Sequence, residues 1–154
     1  MIPFTAKRDG IHLQLSPAER ELVGNLLDQV VELLGTDDRD DPALARLFPD
    51  AYSDDPEAAS EFRRLTSDDI TEAKIANART AQSSLTTDRK TPLTQDAQQA
   101  WLRTLTDLRL TLGARLGVDA DGFAPSADHQ VLAMRDLFDW LGYVQESLVV
   151  ALTR

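Results

Sequence analysis

The chain has 154 residues, 26 acidic against 16 basic side chains for a net charge of −10, and no cysteine. Without thiols it can hold no disulfide, thiolate nucleophile, cysteine-ligated zinc or cysteine redox switch of its own. The negative field disfavours direct nucleic-acid binding, which draws on cations that displace counterions from phosphates.

The composition, 42% apolar and 27% charged, reads as one globular helical domain over 1–154, able to bury a core. No apolar run reaches the roughly 20 residues that cross a bilayer. The N-terminus lacks the pattern of a signal peptide, so a cytoplasmic location and no membrane partner are expected.

The opening predicts a β-hairpin over 1–15. "FTAK" and "IHLQL" alternate around "RDG", where Asp9-Gly10 supplies a positive-φ turn. Two short strands are marginal alone, so the hairpin must lie against helices. "SPAE" then predicts a helix start: Ser16 as cap, Pro17 at the first position and Glu19 completing a capping box. Leu22, Leu26, Leu27, Val30, Leu33 and Leu34 follow at helical spacing, with Gly35 as the stop.

Residues 36–72 hold twelve acidic side chains against four arginines and so net −8, which leaves −2 for the rest of the chain. Within them, 36–66 reads as an acidic crossover broken by Pro42, Pro49 and Pro56. A short helical turn is predicted around 43–48, and a second short helix from Glu57 to about Arg64. Leu44, Leu47, Phe48, Tyr52 and Phe62 anchor the segment inward. Thr66 or Ser67 is expected to cap a further, peripheral helix to about Ser84, with Asp68 and Asp69 at its favourable dipole end. Its weak apolar face is Ile70, Ala73, Ala76 or Asn77, and Ala81.

"TTDRKTP" is a polar linker, after which Thr94 caps a long helix. Trp101, Leu105, Leu108, Leu112 and Leu116 form its apolar stripe, and Gly117 ends it. Ser126 is positioned to cap the last helix. Leu137, Leu141, Val144 and Leu148 line one face of that helix, and Phe138, Trp140, Tyr143 and Val149 widen it. A helix apolar on more than one face is usually central or shared with a partner. The expected fold class is therefore mainly α: a bundle of about four to six helices, two or three of them long, with a short N-terminal hairpin.

Chemistry-bearing constellations are sparse. "TDDRDDP" lacks the ordered carboxylate spacing of a calcium loop, and "DADG" at 119–122 matches only a fragment of one. No carboxylate pair sits in an apolar surround that would set two pKa values apart. His12 and His129 have neither a serine–acid constellation nor a second histidine at ligand spacing. No helix is both short and basic, as a recognition helix must be. No catalytic, cofactor-binding or metal residue is therefore assigned.

Arg103 and Asp107 can pair at i and i+4. Arg109 then points to another element, where it can meet a carboxylate such as Asp68 or Glu72, or a partner. Trp101, Trp140 and Tyr143 serve either as core or as an interface patch. Arg109, Trp140 and Tyr143 are the candidate partner-binding residues.

"LSPAERELVGNLLDQVVELL", "DPALARLFPDAY", "ITEAKIANA", "LTQDAQQAWLRTLTDLRLTLGARL" and "LFDWLGYVQESLVVAL" stand in consistent order along nearly the whole chain. Together they resemble an actinobacterial domain-of-unknown-function family whose members include AosR-like oxidative-stress transcriptional regulators. The resemblance implies a role in stress or transcriptional control. Members given the regulator label carry a paired-cysteine redox motif, and this chain departs there, so thiol sensing does not carry over. The resulting expectation is a non-enzymatic interaction protein that docks on a protein partner, either transcription machinery or another regulator. A homodimer through the last helix is also compatible. The alternatives are a direct DNA-binding regulator and, behind it, a metal-binding or enzymatic domain.

Overall fold

A computed structural model describes residues 2–36, 38, 40–48, 55–117, 122–123 and 125–154. Among them are two strands, β1 (Phe4–Lys7) and β2 (Gly10–Leu13). Five helices follow: α1 (Pro17–Thr36), α2 (Pro42–Ala45), α3 (Pro56–Leu85), α4 (Gln95–Leu116) and α5 (His129–Leu152). The fold is mainly helical with an N-terminal hairpin, as the sequence predicts.

β1 and β2 pair antiparallel, Phe4 opposite Leu13 and Lys7 opposite Gly10. Arg8 and Asp9 make the turn, one residue before the expected Asp9-Gly10, and Gly10 opens β2 at φ 138°, a conformation that favours glycine. The hairpin is held from outside. Leu93 N–H donates to the Ile11 carbonyl at 2.8 Å, and Phe4 N–H donates to Ser147 Oγ at 3.2 Å. The Phe4 ring meets Trp101 edge-on, centroids 5.7 Å apart, a favoured aromatic geometry.

The capping box closes α1 as expected: Glu19 N–H donates to Ser16 Oγ at 3.2 Å, and Ser16 N–H to the Glu19 carboxylate at 2.8 Å. The buried face is Val23, Leu27, Val30 and Leu34, one step round from the predicted stripe, and Leu22 is exposed. Gly35 is not the stop. It remains helical, and α1 runs on to Thr36.

α3 corrects the sequence reading most. Residues 56–85 form one 30-residue helix, capped by Asp55, which accepts from Ala58 N–H. Thr66 does not cap. Its hydroxyl donates back to the Phe62 carbonyl at 2.8 Å, the arrangement a mid-helix threonine adopts without breaking the helix. Asp68 and Asp69 therefore lie mid-helix, away from the dipole end. α3 is also not peripheral, because it packs against both α1 and α4. Ala78, Ala81 and Ser84 form its buried face, and their small side chains allow close approach, whereas Ala73 and Ala76 are exposed.

α4 is the hub. Thr94 Oγ1 accepts from Ala97 N–H at 3.1 Å, and Gly117 ends the helix in the left-handed region. α4 packs against α1, α2, α3 and α5, with Trp101, Leu105 and Leu108 at the centre of the core. The last helix is thus not the central one.

The crossover anchors through Ala43, Leu44 and Leu47, all buried, with Phe48 packed against the core. Asp41 caps α2 and takes a bidentate pair from Arg115 of α4, at 2.9 and 2.8 Å. That contact holds the Asp41 carboxyl below the usual carboxylate range. Phe62 is half-buried. Tyr52, together with Asp37, Asp50 and Asp54, lies outside the described residues, as does most of "DADG".

Three polar clamps complete the fold. Arg20 donates to the Leu13, Leu15 and Leu85 carbonyls, joining the hairpin and the α1 start to the end of α3. Lys74 of α3 meets Asp107 of α4 at 2.8 Å. His12, buried in the hairpin, lies 2.9 Å from the Arg89 carbonyl through Nδ1 and 2.7 Å from the Asp9 carboxylate through Nε2.

Candidate interaction surface

α5 begins where Asp128, not Ser126, caps it, accepting from Gln130 and Val131 N–H. A carboxylate at the N-cap also complements the helix dipole. Ser126 sits two residues back and accepts from Asp128 N–H. His129 is the first helical residue and is exposed. Inward, α5 buries Leu141, Val144, Ser147, Leu148 and Ala151.

The outward side of α5 carries exposed apolar side chains among charged ones such as Asp136, Asp139 and Glu146. Tyr143 is 49% exposed, Val149 39% and Val150 40%, with Ile2 nearby at 56%. Between β1 and α5, Ile2, Tyr143 and Val150 frame a groove of about 210 Å³, lined also by Thr5, Ala6, Glu146 and Arg154. Ser147 fixes the groove floor by accepting from Phe4 N–H and donating to the Val144 carbonyl. Exposed apolar side chains gathered on one face mark an interaction surface more than scattered ones do.

Arg109 lies on the other flank of α5. It does not reach Asp68 or Glu72. Its guanidinium sits 4.8 Å over the Phe138 ring and donates to Gln145 Oε1 at 3.2 Å. Gln145 in turn donates to Thr106 Oγ1 at 2.7 Å. At Gly142 a Cβ would come within 3.2 Å of Arg109 Nη2, so the absent side chain makes room for the guanidinium. Phe138 also meets Phe123 edge-on at 5.6 Å, and Arg135 covers Phe123 at 4.9 Å. The two rings meet each other, and an arginine covers each of them.

The aromatic trio does not form one patch. Trp101 is fully buried, its Nε1–H donating to Ser84 Oγ at 2.6 Å. Trp140 is half-buried against the core, and only Tyr143 faces out. Asp107 pairs across helices with Lys74 in place of the expected i, i+4 pair with Arg103, and the expected interhelical pair of Arg109 with Asp68 or Glu72 does not form. Burial pushes the Asp107 carboxyl up, opposed by the Lys74 ammonium. Sequence reasoning missed Gln145 and Gly142, since neither residue type signals a site, and Phe138 was assigned only to a general apolar widening. Among the described residues no group of three or more His, Cys, Asp or Glu is placed to hold a metal ion. Among them, too, no helix is long and apolar enough to cross a membrane.

The fold and surface define a helical protein with an apolar outer strip and an aromatic–arginine flank. The chain belongs to the family described as Domain of unknown function (DUF2017), whose model matches residues 1–152. It is similar to a protein named putative oxidative stress regulator AosR from Mycobacterium leprae, 34% identical over 130 residues. That match covers 73% of this chain and 59% of the relative, so the chain spans about three fifths of that protein. The oxidative stress regulator AosR of Mycobacterium tuberculosis (H37Rv) is 29% identical over 187 aligned positions, covering 94% of this chain and 84% of the relative. No solved structure gives a significant match.

Proposed function

We propose that this protein is a non-enzymatic regulator of a stress response that acts through a protein partner seated on the outer strip of α5. The observation that carries this reading is the exposure of Tyr143, Val150 and Ile2 around one groove able to take an apolar anchor. Aromatic anchors are enriched at protein interfaces, and bulky side chains in pockets dominate binding energy. The relatives named as oxidative stress regulators supply the process. With no cysteine in the chain, an oxidant signal reaches it through the partner and not through its own thiols. The net charge of −10 favours a protein partner over a duplex.

Affinity capture from native lysate, with and without oxidant, tests this. Wild type retrieves a defined transcription protein or regulator, and a Tyr143→Asp, Val150→Asp double variant of unchanged stability does not. Retrieval of nothing but the bait at low salt overturns the reading. Retention on heparin with a steep salt dependence transfers it to direct DNA binding.

A further inference from the structure

We infer that the pocket at Arg109 is a carboxylate-binding site. The pocket has a volume of about 230 Å³ and is lined by Arg46, Thr106, Arg109, Leu110, Phe138 and Gln145. That lies below the roughly 300–1,000 Å³ of drug-sized ligand sites, so it suits a single small head group.

Arg109 is built for such a ligand. Among the described residues no carboxylate lies within ion-pair distance of it, and its Nε is buried without a hydrogen-bond partner. Nε is covered by protein, so the donor left open to the pocket is Nη2, beside the Nη1 that Gln145 engages. Its orientation is set in advance. Phe138 stacks on the guanidinium, Gly142 leaves it space, and Gln145 Oε1 accepts from Nη1. Gln145 is itself held by Thr106, whose hydroxyl donates to the Leu102 carbonyl. A planar guanidinium held in one plane, with donors unused, matches a carboxylate by two parallel hydrogen bonds. The long-range field of the −10 chain costs a monoanion less than a phosphate dianion, and the assignment is to the carboxylate. Such a group arrives on a free small acid or as an acidic side chain of a protein. The site is independent of whether a partner covers the α5 strip.

The test follows the arginine Nε–H signals by NMR in the full chain, with acetate, a blocked Glu-Glu peptide, acetamide and inorganic phosphate as probes. Acetate or the peptide shifts the Arg109 signal saturably, and the neutral acetamide does not. Equal affinity for acetate and peptide assigns a free acid; peptide binding at least about tenfold tighter assigns a protein side chain. Arg109→Lys weakens binding at least about tenfold through the lost second hydrogen bond. Gln145→Glu places a carboxylate beside Arg109 from within, so it abolishes binding while the protein stays folded. No shift with either carboxylate, phosphate binding as tightly as acetate, or undiminished binding in Gln145→Glu overturns the assignment.

Discussion

Trp101 Nε1–H donates to Ser84 Oγ at 2.6 Å, inside the contact between α3 and α4. Ser84 passes the bond on to the Ala81 carbonyl, so the largest fully buried side chain has its one polar atom satisfied by a helix that looked marginal in sequence. Ser84→Ala leaves the indole N–H unpaired and is expected to cost about 1–3 kcal/mol. Chemical denaturation measures the cost. In a Trp101→Phe background the same change costs clearly less, and an equal cost in both backgrounds refutes the coupling.

Lys74 and Asp107 set up a second cycle across the same helices. Asp107 is nearly inaccessible, so Lys74→Met strands a buried carboxylate and destabilises by about 3–5 kcal/mol. Replacing both residues, with Lys74→Met and Asp107→Leu, recovers most of that loss, because an apolar pair of similar volume avoids the desolvation cost. A double variant no more stable than Lys74→Met contradicts this account.

His12 gives the fold a pH dependence. The Arg89 carbonyl, and then the Asp9 carboxylate, hold its pKa above the ordinary 6.5. Both ring nitrogens face acceptors, which the doubly protonated imidazolium satisfies. A group raised in the folded state contributes fully below its unfolded pKa and loses that contribution as pH rises through the folded one. Melting temperature should therefore fall as pH climbs above about 6.5, with a smaller drop in His12→Gln. Identical pH profiles for the two proteins would remove His12 from the explanation.

Leu47 tests the crossover. It is 3% exposed and docks the end of α2 into the core, so Leu47→Asp buries a charge without a partner. A loss of at least about 3 kcal/mol is expected. Leu47→Met keeps the volume and is expected to cost less than about 1.5 kcal/mol. Unchanged thermal stability in Leu47→Asp would show that α2 contributes nothing to the core.

Local physics was legible in the chain itself. Ser16, Pro17 and Glu19 fix the start of α1, Thr94 and Gly117 bound α4, and Gly10 takes a positive φ at the hairpin turn. Each is an interaction between residues a few positions apart, so composition and spacing suffice to predict it. The lack of thiol chemistry is likewise a property of the sequence alone. Long-range relationships were decided only by packing. Thr66 offers both a cap and a mid-helix hydroxyl, and the docking of α3 onto α1 and α4 selects the second. Asp107 has an eligible arginine one turn away but meets a lysine 33 residues distant. Arg109 finds an aromatic ring and an amide in place of a carboxylate. Periodicity states which side of a helix is apolar, but which neighbour covers that side depends on how whole helices settle together. For that reason α4 became the hub, and the surplus apolar surface of α5 was left facing outward.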